Sequence, residues 1–499
     1  MKLLKKIVGA SLPNWLIATL VLVFILRIPS FFEPYAYGDE MIYLTLGEGI
    51  RQGLVLYRDI HDNKPPLLYV LAAIAGSVFW FRMILALWNI VYIVIFWQLT
   101  KRLFPKNLKA QKVATFVFAL LSTIPLFEGQ IANSEVFMIG LSVAAFLLLL
   151  AGKLNTQKIL IAGALFSLAT LFKIPAAFDL PVIIIIWLFK ETFNIKGLLN
   201  TARKALPLAI GFATPILLTF AWYYFRGGLS QYISAAFAQN VGYLSSWRPD
   251  ETQAPFLERN APILIRGLIV LIVTVTLYLL RKKLSLTFTF ATVWLVFTLF
   301  AATLSERPYP HYLMQTVPPL SLLVALLATS PKKEQVYSII PLSLFAVVPF
   351  YFKFWYYSTS SYYNRFFEFA TSKVTINDYL KNFDSNTPRD YEVAQFLTTI
   401  TDRYDRIFVW GSTSTIYALA KRLPPIKYVA DYHVKDFYSP ETVLIDLAAN
   451  PPKAVVVLSE ADSFPQLNQF LKQNFIKIKT IQTAEIWYLQ QSRGKIHQE

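Results

Sequence analysis

The chain is 499 residues long, 55% hydrophobic and 16% aromatic, and only 15% charged, against roughly 25% charged in soluble domains. With a mean hydropathy of +0.46 it is too apolar for a soluble fold, and it is expected to be a polytopic membrane protein. The net charge of +17 invites a nucleic-acid partner, but the basic residues fall where a membrane topology wants them and no such partner is expected; the absence of cysteine excludes disulfides and thiolate metal sites.

The opening MKLLKKIVGASLPNWLIATLVLVFILRIPSFF combines a basic start with an apolar segment of about 18 residues and no A-x-A site, which reads as an uncleaved first span. Apolar runs predict eleven spanning helices, at 13–32, 81–102, 111–127, 135–152, 157–173, 175–190, 204–225, 261–280, 284–304, 313–329 and 336–354. With the N-terminus cytoplasmic, the inside segments are KLLKK, KRLFPKNLKAQK, KLNTQK, KETFNIKGLLNTARK, RKK and PKK. They hold 19 basic residues against 8 in the longer outer connections, as the positive-inside rule requires.

This alternation holds only if residues 66–80 do not cross. Their apolar run of about 13 residues is too short for a helix that needs about 20 to span. The connection from Phe31 to Phe81 is therefore expected to be one outer loop carrying two short surface helices. Residues 355–499 contain no span, and RIFVWG (406–411), KAVVVL (453–458) and EIWYL (485–489) alternate with helix-like segments, as in a small α/β domain. The expected fold class is an all-α polytopic membrane domain, residues 1–354, with about eleven transmembrane and two juxtamembrane helices, followed by a small extracytoplasmic α/β domain, residues 355–499. The expected location is a bacterial cytoplasmic membrane.

The outer connections collect the unusual polar residues. In YGDEMIYLTLGEGI, Gly38-Asp39 starts a helix whose Ile42, Leu46 and Ile50 line one face, so Asp39 is either a helix cap or, if partly buried, a base. In HDNKPPLLY, the prolines keep Lys64 out of the helix and start one just after it. Lys64 thus sits beside a helix N-terminus, which suits a phosphate headgroup, or it snorkels to lipid. The second short outer loop, EGQIANSE, holds Glu128 and Glu135, and Lys173 ends the fifth predicted span. In ERPYPHY two prolines stiffen the backbone around Arg307 and His311, both able to bind phosphate oxygens. Taken alone, each of these reads first as a solvated loop charge. Histidines 61, 311, 433 and 497 show no H-x-x-x-H spacing, and there is no P-loop or G-x-G-x-x-G, which argues against a nucleotide donor. The segment 226–260, with Gly-Gly and several aromatics, is expected to form a mobile flap over an acceptor groove or an interfacial helix.

An outer-loop Asp-Glu after the first span, followed by HDNKPPLLY opening a short helix, resembles the GT-C superfamily of membrane glycosyltransferases, in particular bacterial members related to protein O-mannosyltransferases and lipid A aminoarabinose transferases. RPYPHYLMQTVPPL (307–320) and IFVWG (407–411) are similar to later motifs of bacterial members. The resemblance implies a GT-C-like fold and transfer of a sugar from a polyprenyl-phosphate donor to a lipid, polysaccharide or protein acceptor on the outer face. It implies Asp39 as general base with Glu40 assisting; Lys64, Arg307 and His311 on the donor phosphate; and His61, Asp62, Glu135 and Lys173 shaping the site. No cofactor is expected, since a monophosphate flanked by two cations does not demand a metal, and a divalent ion is left open. A transporter or flippase of lipid-linked sugars is the rival, though such carriers place their charged groups near the bilayer midplane and within repeated halves.

Overall fold

The computed structural model describes residues 12–150, 152–242, 255–330 and 332–490. The basic KLLKK start, Arg248, His497 and residues 243–254 of the segment expected to form a flap lie outside the described residues.

A helix occupies each interval expected to span. They are α1 (Asn14–Arg27, extended by a 3-10 turn to Phe32), then, after two shorter helices in the first connection, α2 (Gly38–Arg51) and α3 (Leu67–Ala75), α4 (Val78–Leu103), α5 (Leu108–Leu121) and α6 (Ser134–Leu150). They continue with α7 (Thr156–Thr170), α8 (Leu180–Lys190, after a 3-10 turn from Ile174), α9 (Ile195–Phe225), α10 (Phe256–Leu280), α11 (Leu286–Ala302), α12 (Val317–Thr329, after a 3-10 turn from Pro310) and α13 (Lys332–Tyr351). Among the described residues, six of these segments are long and apolar enough to cross a membrane by length and composition, and α6, α7 and α11 are shorter apolar helices. The chain is an integral membrane protein.

Local chemistry sets the boundaries. Asn107, Asn155, Asn194 and Ser285 each accept a hydrogen bond from a backbone N–H of the first turn of α5, α7, α9 and α11, satisfying donors that a helix start leaves orphaned. Helix α3 has nine residues and rises only about 13 Å, so it cannot cross. It ends at Gly76, whose φ of +65° is the left-handed turn that terminates helices. Ser77 then caps α4. That cap begins the second span three residues earlier than the apolar run indicated.

Small residues set the closest crossings. A Cβ at Gly163 of α7 would lie 2.2 Å from the Leu208 carbonyl oxygen of α9, and one at Gly211 would lie 2.1 Å from that of Leu160. Two glycines thus let the backbones approach where lipid offers no hydrophobic drive. In α10 only Asn260 and Leu277 are buried, so this helix turns nearly all its apolar side chains outward. At one end of the bundle Asn107 donates to Thr329, Thr287 to the Leu103 carbonyl and the Ser285 N–H to Glu334, which brings the basic connections 104–107 and 281–285 together with the ends of α12 and α13.

One expectation is overturned here. Helix α2 is not a surface helix: residues 40–49 are all buried, including Glu40, Thr45 and Glu48. It is sandwiched between α3 and the C-terminal α/β portion. A Cβ at Gly47 would lie 2.6 Å from the backbone nitrogen of Ala73, so only glycine permits this α2–α3 contact.

Beyond α13 come α14 (Thr359–Ala370), α15 (Ile376–Lys381) and α16 (Thr387–Ile400), then β1 (Ile407–Trp410), α17 (Thr415–Ala420), α18 (Asp431–Phe437), α19 (Pro440–Ala449), β2 (Ala454–Val457), α20 (Pro465–Asn474), β3 (Phe475–Ile481) and β4 (Ala484–Leu489). The sheet order is β1-β2-β4-β3. Strands β1 and β2 are parallel, with Ile407 opposite Ala454, and β4 runs antiparallel to both of its neighbours. The three strands expected from apolar runs are present; β3, an edge strand whose inner positions are exposed, is the fourth. Helix α17 packs on α2, and Tyr35 N–H donates to the Tyr391 hydroxyl at 3.0 Å, so this portion covers the end of the bundle that carries the first connection.

Candidate active site

The first turn of α2 presents Asp39, and the cap position is taken by Tyr37. Asp39 is therefore not a cap. Its Oδ2 accepts from the Tyr43 hydroxyl at 2.8 Å and from Lys64 Nζ at 3.4 Å. Its side chain is 35% exposed and that of Lys64 24%, so the pair is open to a ligand. Burial raises the Asp39 pKa; the charges of Lys64 and His311, with the Tyr43 hydroxyl bond, more than offset this and bring it to about 2.

The turn around Lys64 is held from several sides. The Tyr57 hydroxyl donates to the Lys64 carbonyl at 2.7 Å, Asn240 Nδ2 donates to the Asn63 carbonyl at 2.8 Å, and the Leu67 N–H donates to the Leu171 carbonyl. The ammonium stands over the Tyr43 ring at 4.9 Å. Tyr57 itself has a φ of +71°, unusual for an aromatic residue, and its ring stacks on buried Tyr232 at 5.2 Å.

A second cluster lies against the first. Glu128, in the left-handed region at φ +56°, accepts at Oε2 from the Tyr37 hydroxyl at 2.6 Å and Asn133 Nδ2 at 3.1 Å, and pairs with His311 Nδ1 at 2.6 Å. His311 Nε2 is 3.8 Å from Glu135 Oε1, and Glu135 forms an ion pair with Lys173. Lys173 Nζ lies over the Tyr312 ring at 3.6 Å, while Tyr309 stacks on His311 at 5.6 Å. Tyr37, one residue from the first turn of α2, joins the two clusters.

Glu40 faces elsewhere. Its oxygens accept from Arg82 Nε at 3.1 Å, Arg82 Nη2 at 2.5 Å and the Ala132 N–H at 2.8 Å. Arg82 also pairs with Glu33 at 3.1 Å. This buried clamp ties α2 to α4 and to the connection 122–133, so Glu40 is engaged by Arg82 rather than placed beside Asp39. His61 and Asp62 lie under the C-terminal portion: the His61 N–H donates to the Lys427 carbonyl, and Asp62 Oδ1 is 3.9 Å from His433 Nε2. Arg307 is exposed, four residues before His311. Among the described residues no group of three or more His, Cys, Asp or Glu could hold a metal ion.

Glu128 was visible in the sequence only as one of two loop carboxylates, since nothing in EGQIANSE marks that both acids turn inward. Tyr37 and Arg82 carried no sequence signal at all.

Solved structures of low sequence identity share this arrangement of apolar helices with an α/β portion at one end. The crystal structure of ArnT from Cupriavidus metallidurans bound to undecaprenyl phosphate is similar over 96% of this chain and 98% of that chain, with a TM-score of 0.54 and 11% identity. The apo form of the same protein gives a TM-score of 0.53 and 12% identity, over 95% and 97% of the two chains. The archaeal oligosaccharyltransferase AglB from Archaeoglobus fulgidus, in complex with an inhibitory peptide and a dolichol-phosphate, aligns over 97% of this chain and 75% of that chain, with 14% identity and a TM-score of 0.45. Residues 388–490 match the family described as "Putative competence-induced protein Ccs4 C-terminal domain". No curated protein matches the chain by sequence.

Proposed function

We propose that the chain is a glycosyltransferase that takes a hexosyl or pentosyl group from a polyprenyl-phosphate donor and passes it to a lipid, polysaccharide or protein acceptor. The site faces the extracytoplasmic side, with the N-terminus in the cytoplasm; residues 1–354 form the catalytic membrane domain and residues 355–499 an extracytoplasmic one. The observation that carries this reading is the part-exposed Asp39–Lys64 pair, an ionised carboxylate and an ammonium side by side at the end of an ArnT-like bundle.

In the reaction, the acceptor O–H gives its proton to Asp39 as its oxygen attacks the anomeric carbon. The bond from that carbon to the phosphate oxygen breaks, and the polyprenyl phosphate leaves with the electron pair. Lys64, joined in this reading by Arg307 and His311, neutralises the charge that grows on the leaving group; one such contact contributes about 3 kcal/mol, or roughly a hundredfold in rate.

Lys64 has two partners to serve, and this sets the order of events. Without donor it holds Asp39 ionised and weakly basic. A bound phosphate draws the ammonium away, and burial then raises the proton affinity of Asp39 just when a base is needed. Glu135 and Lys173 hold His311 in place, and Glu40 with Arg82 holds α2. Mass spectrometry of lipid that co-purifies with the full chain tests the donor: a polyprenyl phosphate, with or without its sugar, is expected on the wild type and reduced in Lys64→Ala. Equal lipid on both removes Lys64 from the phosphate.

A further inference from the structure

The C-terminal portion reaches the site through α18 and the turn before it. The His61 N–H donates to the Lys427 carbonyl at 3.0 Å, and the His61 ring packs edge-on against Tyr428 at 5.1 Å and Phe437 at 5.3 Å. His433 Nε2 stands 3.9 Å from Asp62, two residues from the lysine that holds Asp39. This docking carries the neighbouring Tyr432 to the mouth of the site. Tyr432 is 39% exposed, between buried Asp431 and buried His433. Partial burial and the nearby charges of Asp39 and Asp62, followed by Tyr309, raise its pKa and keep the phenol protonated. Tyr309 belongs to the opposite wall, where it meets Trp355 edge-on at 4.7 Å.

Beside this ring the fold buries polar atoms. His433 Nδ1 is buried without a hydrogen-bond partner, and Asp62 Oδ2 is buried with the Tyr69 hydroxyl as its neighbour, in residues only 7% and 2% exposed. Such groups are costly to leave unmet, and a seam that holds an acceptor, a ring nitrogen and an open aromatic face awaits a ligand with matching parts. A sugar ring has them: hydroxyls for Asp62 and His433, and an apolar C–H face for Tyr432. A phosphate would be repelled by Asp62, and an acyl chain would leave His433 Nδ1 unmet.

We infer that Tyr432, Asp62 and His433 form an acceptor-side subsite for a sugar ring, so that the C-terminal portion selects a glycan acceptor rather than merely covering the site. The inference rests on the reading of Asp39 as the base of a glycosyl transfer. Neither Tyr432 nor His433 touches the reacting atoms in this account; both position the acceptor.

The test uses the full chain, an undecaprenyl-phosphate sugar as donor, and methyl glycosides of glucose, galactose, mannose and N-acetylglucosamine as probe acceptors. Release of undecaprenyl phosphate is followed, and donor binding is measured separately by native mass spectrometry. At least one glycoside should accelerate release; Tyr432→Ala should raise its KM about tenfold with little change in kcat, and Tyr432→Phe should restore the wild-type KM. Asp62→Asn should also raise KM, with donor binding equal in all variants. A wild-type KM in Tyr432→Ala overturns the subsite, as does release that no glycoside accelerates although donor binds and Asp39 is needed for its turnover. A wild-type protein that binds no donor overturns the parent reading, and the subsite with it.

Discussion

Replacing Lys64 by methionine removes the ammonium 3.4 Å from Asp39 while keeping an apolar stem against the Tyr43 ring. At that distance and an effective dielectric of about 20, the attraction is about 5 kcal/mol. A third of the Asp39 side chain is open to water, and screening reduces the attraction to about 2 kcal/mol. At 1.36 kcal/mol per unit, Asp39 should then titrate roughly 1–2 units higher than its value of about 2. The sign follows from the depressed pKa: the pair stabilises the fold above the unfolded-state value of about 3.9 and loses that stabilisation as pH falls through the folded one. Thermal unfolding of the detergent-solubilised chain should show wild type above Lys64→Met near neutral pH, with the gap closing between about pH 5 and about pH 1. The acid limb of kcat/KM should move up in the variant when each profile is scaled to its own plateau. A gap that stays constant with pH, together with superimposable profiles, would mean that Lys64 does not hold the charge of Asp39.

Asp39→Asn should lower transfer by about 10²–10⁴-fold and leave donor binding intact, as measured by turnover beside native mass spectrometry. Arg82→Ala leaves Glu33 and Glu40 as buried carboxylates without their cation, a loss of about 3–5 kcal/mol; the yield of folded protein should collapse, and adding Glu40→Gln should recover part of it. Gly47→Val drives a side chain into the backbone of α3, where a Cβ already meets Ala73 at 2.6 Å, and size-exclusion profiles should show aggregation or a sharply lower melting temperature. His311→Ala takes away the 2.6 Å partner of Glu128 and should cut the rate about 10–100-fold, with the loss in kcat rather than in acceptor KM.

Much of the membrane part is legible in the residues because lipid imposes simple rules. Apolar runs locate the helices, the basic connections gather at one end, and HDNKPPLLY marks a helix too short to cross. The burial of α2 was not legible. Ile42, Leu46 and Ile50 describe one apolar face, but the opposite face is covered as well, by Arg82 on Glu40 and by Arg403 on Glu48 at 3.4 Å, contacts made 42 and 355 residues away. The charged parts of the candidate site were legible as neighbours, since Asp39, Lys64 and His311, which the fold brings near one another, stand in motifs that shape their backbones. Tyr37 and Tyr432 were not, because a tyrosine in so aromatic a chain carries no mark of its surroundings. Glu128 takes its inward place through a left-handed backbone turn that three-dimensional packing imposes.

The central claim is that Asp39 activates an acceptor against a polyprenyl-phosphate sugar, and single-turnover release of undecaprenyl phosphate from a labelled undecaprenyl-phosphate sugar by the purified full chain tests it most directly. Wild-type protein should release the lipid phosphate in step with the appearance of glycosylated acceptor, while Asp39→Asn binds the donor and releases almost none. Equal release by both proteins, or donor that binds and is carried across liposome membranes unchanged, would contradict the account.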